Sequence, residues 1–227
     1  MKPTFPTILS YLISLLVPIA LIGTALRILL SPIFINIEYR MPYFPVDEYG
    51  FTQQDRLRWA PFALKYLVNS SDISYLGDLK FDDGTPLYNE RELSHMADVK
   101  KVVLGALGVW TISLIILAVL AIFANRGKWI PDYVSGLRRG GMWMIGLAMA
   151  LGLVAGIGIV ANPVVFEQFF IFFHSLFFKG STWLFEFSDT LIRLFPIRFW
   201  EDAFLAVAIL SLGGGLSLAV GLKRFRA

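Results

Sequence analysis

The 227-residue sequence has no cysteine, only two histidines and few charges, with 20 lysines and arginines against 17 aspartates and glutamates. Without cysteine there can be no disulfide, thiolate nucleophile, cysteine-ligated zinc or iron–sulfur cluster. With two histidines, any imidazole chemistry must use His95, His174 or both. Charged residues make up 16% of the chain, against roughly 25% in ordinary soluble domains. That shortage excludes a disordered chain, a coiled coil and an ordinary cytosolic globule. Apolar residues take their place: 56% of the chain is hydrophobic, 20 residues are phenylalanine, and the mean hydropathy is +0.66.

The apolar residues fall in four blocks, at about 8–30, 102–123, 142–160 and 203–222. Each is near the 20 or so residues that a helix needs to cross a bilayer. Helices are expected because a lipid-embedded backbone must satisfy its own hydrogen bonds, and the blocks show none of the alternation of a membrane barrel. The first block exceeds the roughly 7–15 apolar residues of a signal peptide and no small-residue cleavage site follows it, so it reads as a retained anchor. The expected fold is an all-α integral membrane protein: one membrane domain over 1–227, with four transmembrane helices, a mixed cap from 31–101 plus 161–202, and an interfacial aromatic helix.

Charge gives the orientation. Every acid except Asp132 lies in 31–101 or 161–202, whereas Arg126, Lys128, Arg138 and Arg139 sit between the second and third blocks and Lys223, Arg224 and Arg226 close the chain. By the positive-inside rule both termini and the middle loop face the cytoplasm and the cap faces out. The net charge of +3 is therefore a topology signal, and no nucleic-acid partner is expected. Within the cap, the alternation Phe34-Ile35-Asn36-Ile37-Glu38-Tyr39 reads as a short strand. Thr52 with Asp55 reads as an N-cap before a helix towards Leu67, which Pro61 could interrupt. Asp82-Asp83-Gly84 reads as a turn. Asn89 caps a helix, with Glu90 and Glu92 in its first turn, that runs into the second block. The segment Phe166–Phe178 is too short to cross and return and too aromatic for water, which suits a helix lying in the outer interface. The stretch through Trp183, Phe185, Phe187, Leu191 and Pro196 should pack back on the larger segment.

His95 precedes Val102 by seven residues, roughly 10 Å along a helix, and His174 sits in the aromatic segment, so both imidazoles are expected at the outer membrane edge. A single interfacial histidine is ordinarily an amphipathic side chain. Finding the only two on one side sets proton transfer beside that reading as an equal alternative. Glu92 and His95 have the spacing of a Glu-x-x-His carboxylate site, yet there is no second copy and no HExxH, so neither metal nor cofactor is expected. Ser94 and Ser175 adjoin the histidines, but no GxSxG elbow is present; Ser175 could meet His95 only across segments. Arg27 suits snorkelling, and Gly213-Gly214-Gly215 suits close helix packing.

Two strings add more. Leu87-Tyr88-Asn89-Glu90-Arg91-Glu92-Leu93-Ser94-His95-Met96-Ala97-Asp98-Val99-Lys100, and Phe173-His174-Ser175-Leu176-Phe177-Phe178 followed by Trp183, Asp189, Leu191 and Phe195-Pro196, resemble signatures of the bacterial lipoprotein intramolecular transacylases, the Lit family. Tyr49-Gly50-Phe51 with Asp55-Arg56 and Tyr66-Leu67 resembles the family's cap. The resemblance spans nearly the whole chain. It implies an acyltransferase of the bacterial cell membrane that moves the sn-2 acyl chain of a diacylglyceryl lipoprotein to the α-amino group of its N-terminal cysteine. The product is the lyso form, and the catalytic pair carries over onto His95 and His174. His174 is the preferred base and His95 the oxyanion stabiliser, oriented by Glu92 or Asp98. Tyr88, Phe173, Phe177, Trp183 and Arg56 are candidate pocket or orienting residues. The expected partners are the lipoprotein and membrane lipids, with the enzyme a monomer. The alternatives are a non-enzymatic assembly or receptor protein with a binding cap, and an acyltransferase or hydrolase acting between two molecules, which would need a covalent or metal centre.

Overall fold

The computed structural model describes residues 4–160, 163–180 and 182–222, and these are helical apart from connections and one isolated β-bridge between Lys80 and Pro86. In chain order the helices are α1 (Phe5–Leu29), α2 (Pro32–Glu38), α3 (Gln53–Val68), α4 (Ser74–Gly77), α5 (Glu90–Arg126), α6 (Ile130–Val160), α7 (Pro163–Ser175), α8 (Thr190–Leu194) and α9 (Ile197–Gly221). Among the described residues α1, α5 and α9 are long and apolar enough to cross a membrane. Helix α6, at 31 residues, contains the third apolar block and begins well before it.

Two compact units are formed, one from Met1–Arg27, Ala106–Leu153 and Phe204–Ala227, the other from Ile28–Gly105 and Val154–Ala203. In the first unit small residues let helices approach closely. A Cβ on Gly136 would come within 2.6 Å of the Ser10 carbonyl oxygen, and one on Gly215 within 2.8 Å of the Gly141 oxygen. Ser14 uses this proximity to donate its hydroxyl to the Gly136 carbonyl at 3.1 Å. Two glycines of the 213–215 run, Gly214 and Gly215, are thus where neighbouring side chain and backbone press in.

The second unit is helical where a mixed cap was expected. Residues 34–39 are not a strand, because Pro32 follows extended Ser31 and starts α2, its missing N–H costing nothing in a first helical turn. Helical spacing then buries Ile35, Glu38 and Tyr39 and leaves Ile33 and Ile37 exposed. The apparent alternation was two faces of one helix. Helix α3 opens with a complete Thr52–Asp55 capping box and continues through Pro61 to Val68. Gly84, at φ +86°, makes the turn that lets Phe81 N–H reach the Thr85 carbonyl at 2.9 Å.

Three side chains tie the two segments of this unit together. The Tyr39 hydroxyl donates to the Leu194 carbonyl at 2.7 Å. Arg56 donates through Nε to Arg193 O at 2.9 Å and through Nη1 to Pro45 O at 2.6 Å. Arg193 pairs with Asp47 at 3.1 Å. Leu191 and Phe195 pack inward with this seam, but Phe187, expected to do so, is 78% exposed.

Candidate active site

Helix α5 presents His95 one turn inside its N-terminus, outside the apolar stretch that begins at Val102. That turn is fixed by a reciprocal cap: Asn89 Oδ1 accepts from Glu92 N–H at 3.0 Å and Glu92 Oε2 accepts from Asn89 N–H at 2.8 Å. The other carboxylate oxygen accepts from Leu191 N–H at 2.7 Å, so Glu92 staples α5 to the start of α8. Asp189 reinforces the junction, accepting from Asn89 Nδ2 at 2.9 Å and from Arg91 at 2.8 Å.

Helix α7 presents His174 in its last turn. The two imidazole centroids lie 6.3 Å apart with their planes 23° from parallel. Both residues are buried, at 7% and 8% exposure. That separation lets one bound ester and amine be reached by both side chains. Aromatic rings enclose the pair. Phe178 and Phe185 meet His95 edge-on at 5.0 and 5.3 Å. Phe170 at 4.0 Å, Trp183 at 5.1 Å, Phe173 at 5.8 Å and Trp200 at 6.4 Å surround His174.

Burial disfavours the charged imidazolium. Desolvation, with His174 adding to it, pushes His95 down to about 4. Desolvation likewise lowers His174, partly offset by its bond to the Phe170 carbonyl. Both rings are therefore neutral at neutral pH. Their tautomers differ in what they leave free. His174 Nδ1 lies 2.9 Å from Phe170 O, and because a carbonyl only accepts, Nδ1 carries the proton and Nε2 carries the lone pair. His95 Nδ1 is buried with no hydrogen-bond partner among the described residues, so it is a group awaiting one.

The expected supporting cast is rearranged. Neither carboxylate orients His95: Glu92 spends both oxygens on backbone N–H groups, and Asp98 pairs with Lys101 at 2.8 Å. Ser175 donates to Phe172 O at 2.7 Å and Ser94 is exposed, so neither of these serines forms a couple with a histidine. Arg56 serves the seam described above. Tyr88 is buried beside Glu92 with its hydroxyl unpartnered among the described residues. Trp183 and Phe173 touch His174, whereas Phe177, half-exposed, packs behind the site on Phe173 at 5.1 Å and on Phe178 at 6.4 Å. Sequence reading missed Phe170, Phe178, Phe185 and Trp200 as walls of the site. Phe170 was visible in principle, one helical turn before His174. No group of three or more histidines and acids is arranged to hold a metal among the described residues.

The fold and the site together define a helical membrane protein whose chemistry centres on a buried, neutral imidazole pair. Comparison with known proteins carries this further. Residues 11–200 match the family "Lipoprotein intramolecular transacylase Lit". An uncharacterized protein of Aquifex aeolicus is 31% identical over 221 residues, covering 96% of both chains. The in meso structure of the membrane integral lipoprotein intramolecular transacylase Lit from Bacillus cereus superposes with a TM-score of 0.72 at 22% identity, over 96% of this chain and 95% of that one. A histidine-to-arginine variant of that protein gives 0.61 at 19% identity, over 95% and 91%. The chain belongs to the lipoprotein intramolecular transacylase family, and it is accordingly a membrane acyltransferase acting on lipoproteins.

Proposed function

We propose that His95 and His174 together move the sn-2 acyl chain of a diacylglyceryl lipoprotein onto the α-amino group of its N-terminal cysteine. The observation that carries this reading is the 6.3 Å separation of the two rings, with His174 Nδ1 tied to Phe170 O and Nε2 left as a base. The substrate amine arrives largely as an ammonium, with a pKa of about 7.7–8.0. His174 Nε2 takes a proton from it, and that proton passes to water. The neutral nitrogen attacks the ester carbonyl, forming the C–N bond and placing negative charge on oxygen, which an N–H of His95 stabilises. His174 then takes the second nitrogen proton and returns it to the glyceryl oxygen as the C–O bond breaks. The products are an amide and a free hydroxyl, with one proton released per turnover.

No protein nucleophile is needed. Closing a medium-sized ring between amine and ester is the difficult step, and holding the two face to face is worth roughly 7–11 kcal/mol. The aromatic enclosure suits this role and keeps water from the ester. A single chain supplies both histidines, so the monomer is the catalytic unit. We read α1, α5, α6 and α9 as four crossings, with both termini and the α5–α6 connection cytoplasmic, the histidines on the outer face and α7 in the outer interface among the lipids.

Mass spectrometry of a diacylglyceryl lipoprotein incubated with the purified enzyme in lipid tests the assignment. Replacing either histidine by alanine should slow conversion by about 10²–10⁴-fold, the usual contribution of a positioned acid or base. Wild-type conversion by the double variant would refute it.

A further inference from the structure

Glu38 closes α2 at 3% exposure, and its Oε1 is buried without a hydrogen-bond partner among the described residues. The group that faces it is another acid. The carboxyls of Glu38 and of Asp202, in the second turn of α9, are in hydrogen-bonding contact. Asp202 is itself 8% exposed and is gripped at both oxygens by Arg198, Nε to Oδ2 at 2.7 Å and Nη2 to Oδ1 at 3.0 Å. Two adjoining buried carboxyls cannot both be charged, so they share a proton. Arg198 occupies both oxygens of Asp202, whereas burial and the neighbouring acid raise Glu38, so the shared proton belongs to Glu38, whose O–H donates to Asp202.

The turn clasped in this way carries Trp200. Its Nε1 donates to Phe195 O at 3.1 Å, and its ring packs at 5.6 Å on Phe170 and at 6.4 Å, edge-on, on His174. We propose that Glu38 is a positioning residue for the histidine pair: as proton donor to Asp202 it clasps the end of α2 to the start of α9 and so holds Trp200 against Phe170 and His174. This role rests on the acyl-transfer reading given above, in which His174 is the base.

The clasp can hold only while its proton stays. Arg198, Glu201 and Asp202 face it from α9, Tyr43 lies under the Arg198 guanidinium at 4.7 Å, Tyr39 adjoins it on the chain, and Glu167 of α7 faces Glu201. Arg198 is the one cation in that set. Desolvation and then the Asp202 charge push Glu38 up to about 8, with Arg198 opposing. Above that pH a second buried negative charge meets Asp202 and the two helices are driven apart. Turnover should rise as the substrate amine loses its proton, at about 7.7–8.0, and then fall as the clasp opens.

Two measurements on wild type, Glu38→Gln and Glu38→Ala, in detergent and in lipid, test this. The first is melting temperature against pH. The folded protein holds the Glu38 proton up to about pH 8, whereas an unfolded glutamate loses it near 4.3. Wild type therefore loses stability relative to Glu38→Gln as pH rises through that window, and the gap levels off above it. The second is the pH profile of transacylation. Glutamine still donates an N–H to Asp202 but cannot ionise, so Glu38→Gln should keep neutral-pH turnover and lose the alkaline limb. Glu38→Ala should lower kcat at pH 7 about tenfold or more with KM little changed, as expected for a displaced catalytic group. A melting gap that is flat across pH, an alkaline limb unchanged in Glu38→Gln, or wild-type kcat in Glu38→Ala would each overturn the proposal. The melting series needs no turnover, so it reads the clasp even if acyl transfer by His95 and His174 proves wrong.

Discussion

Glutamine carries an N–H donor but no base, and that difference separates the two histidines. If His95 contributes a hydrogen bond to the oxyanion, His95→Gln keeps part of its function. If His174 contributes the lone pair of Nε2, His174→Gln keeps none. Conversion measured by mass spectrometry should fall about 10²–10⁴-fold in His174→Gln and roughly tenfold less severely in His95→Gln; equal losses would mean the roles are shared. The same burial that frees these rings from charge ties stability to pH. An unfolded histidine takes up a proton near 6.5, while folded His95 resists it down to about 4. The stabilisation is thus complete above about pH 6.5 and drains away as pH falls towards 4. Melting temperature measured from pH 7.5 to 4.5 should drop less steeply in His95→Phe than in wild type. At this scale the sequence was legible as far as which residues: two histidines, one side, one aromatic segment. It did not reveal what holds them, because the tautomer of His174 depends on a main-chain carbonyl and the expected carboxylate partners are taken by Lys101 and by backbone N–H groups.

Helix boundaries were legible wherever capping chemistry was explicit. Thr52 with Asp55 and Asn89 with Glu92 start α3 and α5 where their side chains say they should. The reading failed at α2, where a six-residue apolar alternation fits either a strand or two helix faces, and Pro32 was the deciding signal. What no local pattern shows is a bond between elements, and Glu92 is the clearest case. Its carboxylate both closes the α5 cap and accepts from Leu191 N–H, 99 residues away. Glu92→Gln turns one acceptor into a donor that faces a buried N–H. Leaving such a group unsatisfied costs about 1–3 kcal/mol, which in a protein of this length lowers the melting temperature by roughly 2–12 °C. Because the staple anchors the turn that carries His95, turnover should fall together with stability. A Glu92→Gln protein that melts with wild type would mean the Leu191 N–H has another partner available.

For the molecule as a whole the informative pattern is where charge is missing. Three helices carry the length and hydropathy of a crossing, and α6 holds the remaining apolar block between Arg138-Arg139 and the start of α7. An even number of crossings with basic residues at both ends of the chain and in the α5–α6 connection is the only arrangement that keeps all of them on one side. Three crossings would send either the chain end or that connection to the outside, against its charge. The absence of cysteine makes the point directly testable, since any cysteine introduced is the sole thiol. Asp82, 80% exposed at its side chain in the Asp82-Asp83-Gly84 turn, and Arg126, exposed at the end of α5, are suitable sites. In intact cells a membrane-impermeant maleimide should label Asp82→Cys and spare Arg126→Cys, and permeabilising the membrane should expose the second without changing the first. Labelling of both from outside would place the α5–α6 connection with the cap. The α5 crossing would then be lost, and with it the expectation that the substrate amine meets His95 and His174 at the outer face of the membrane.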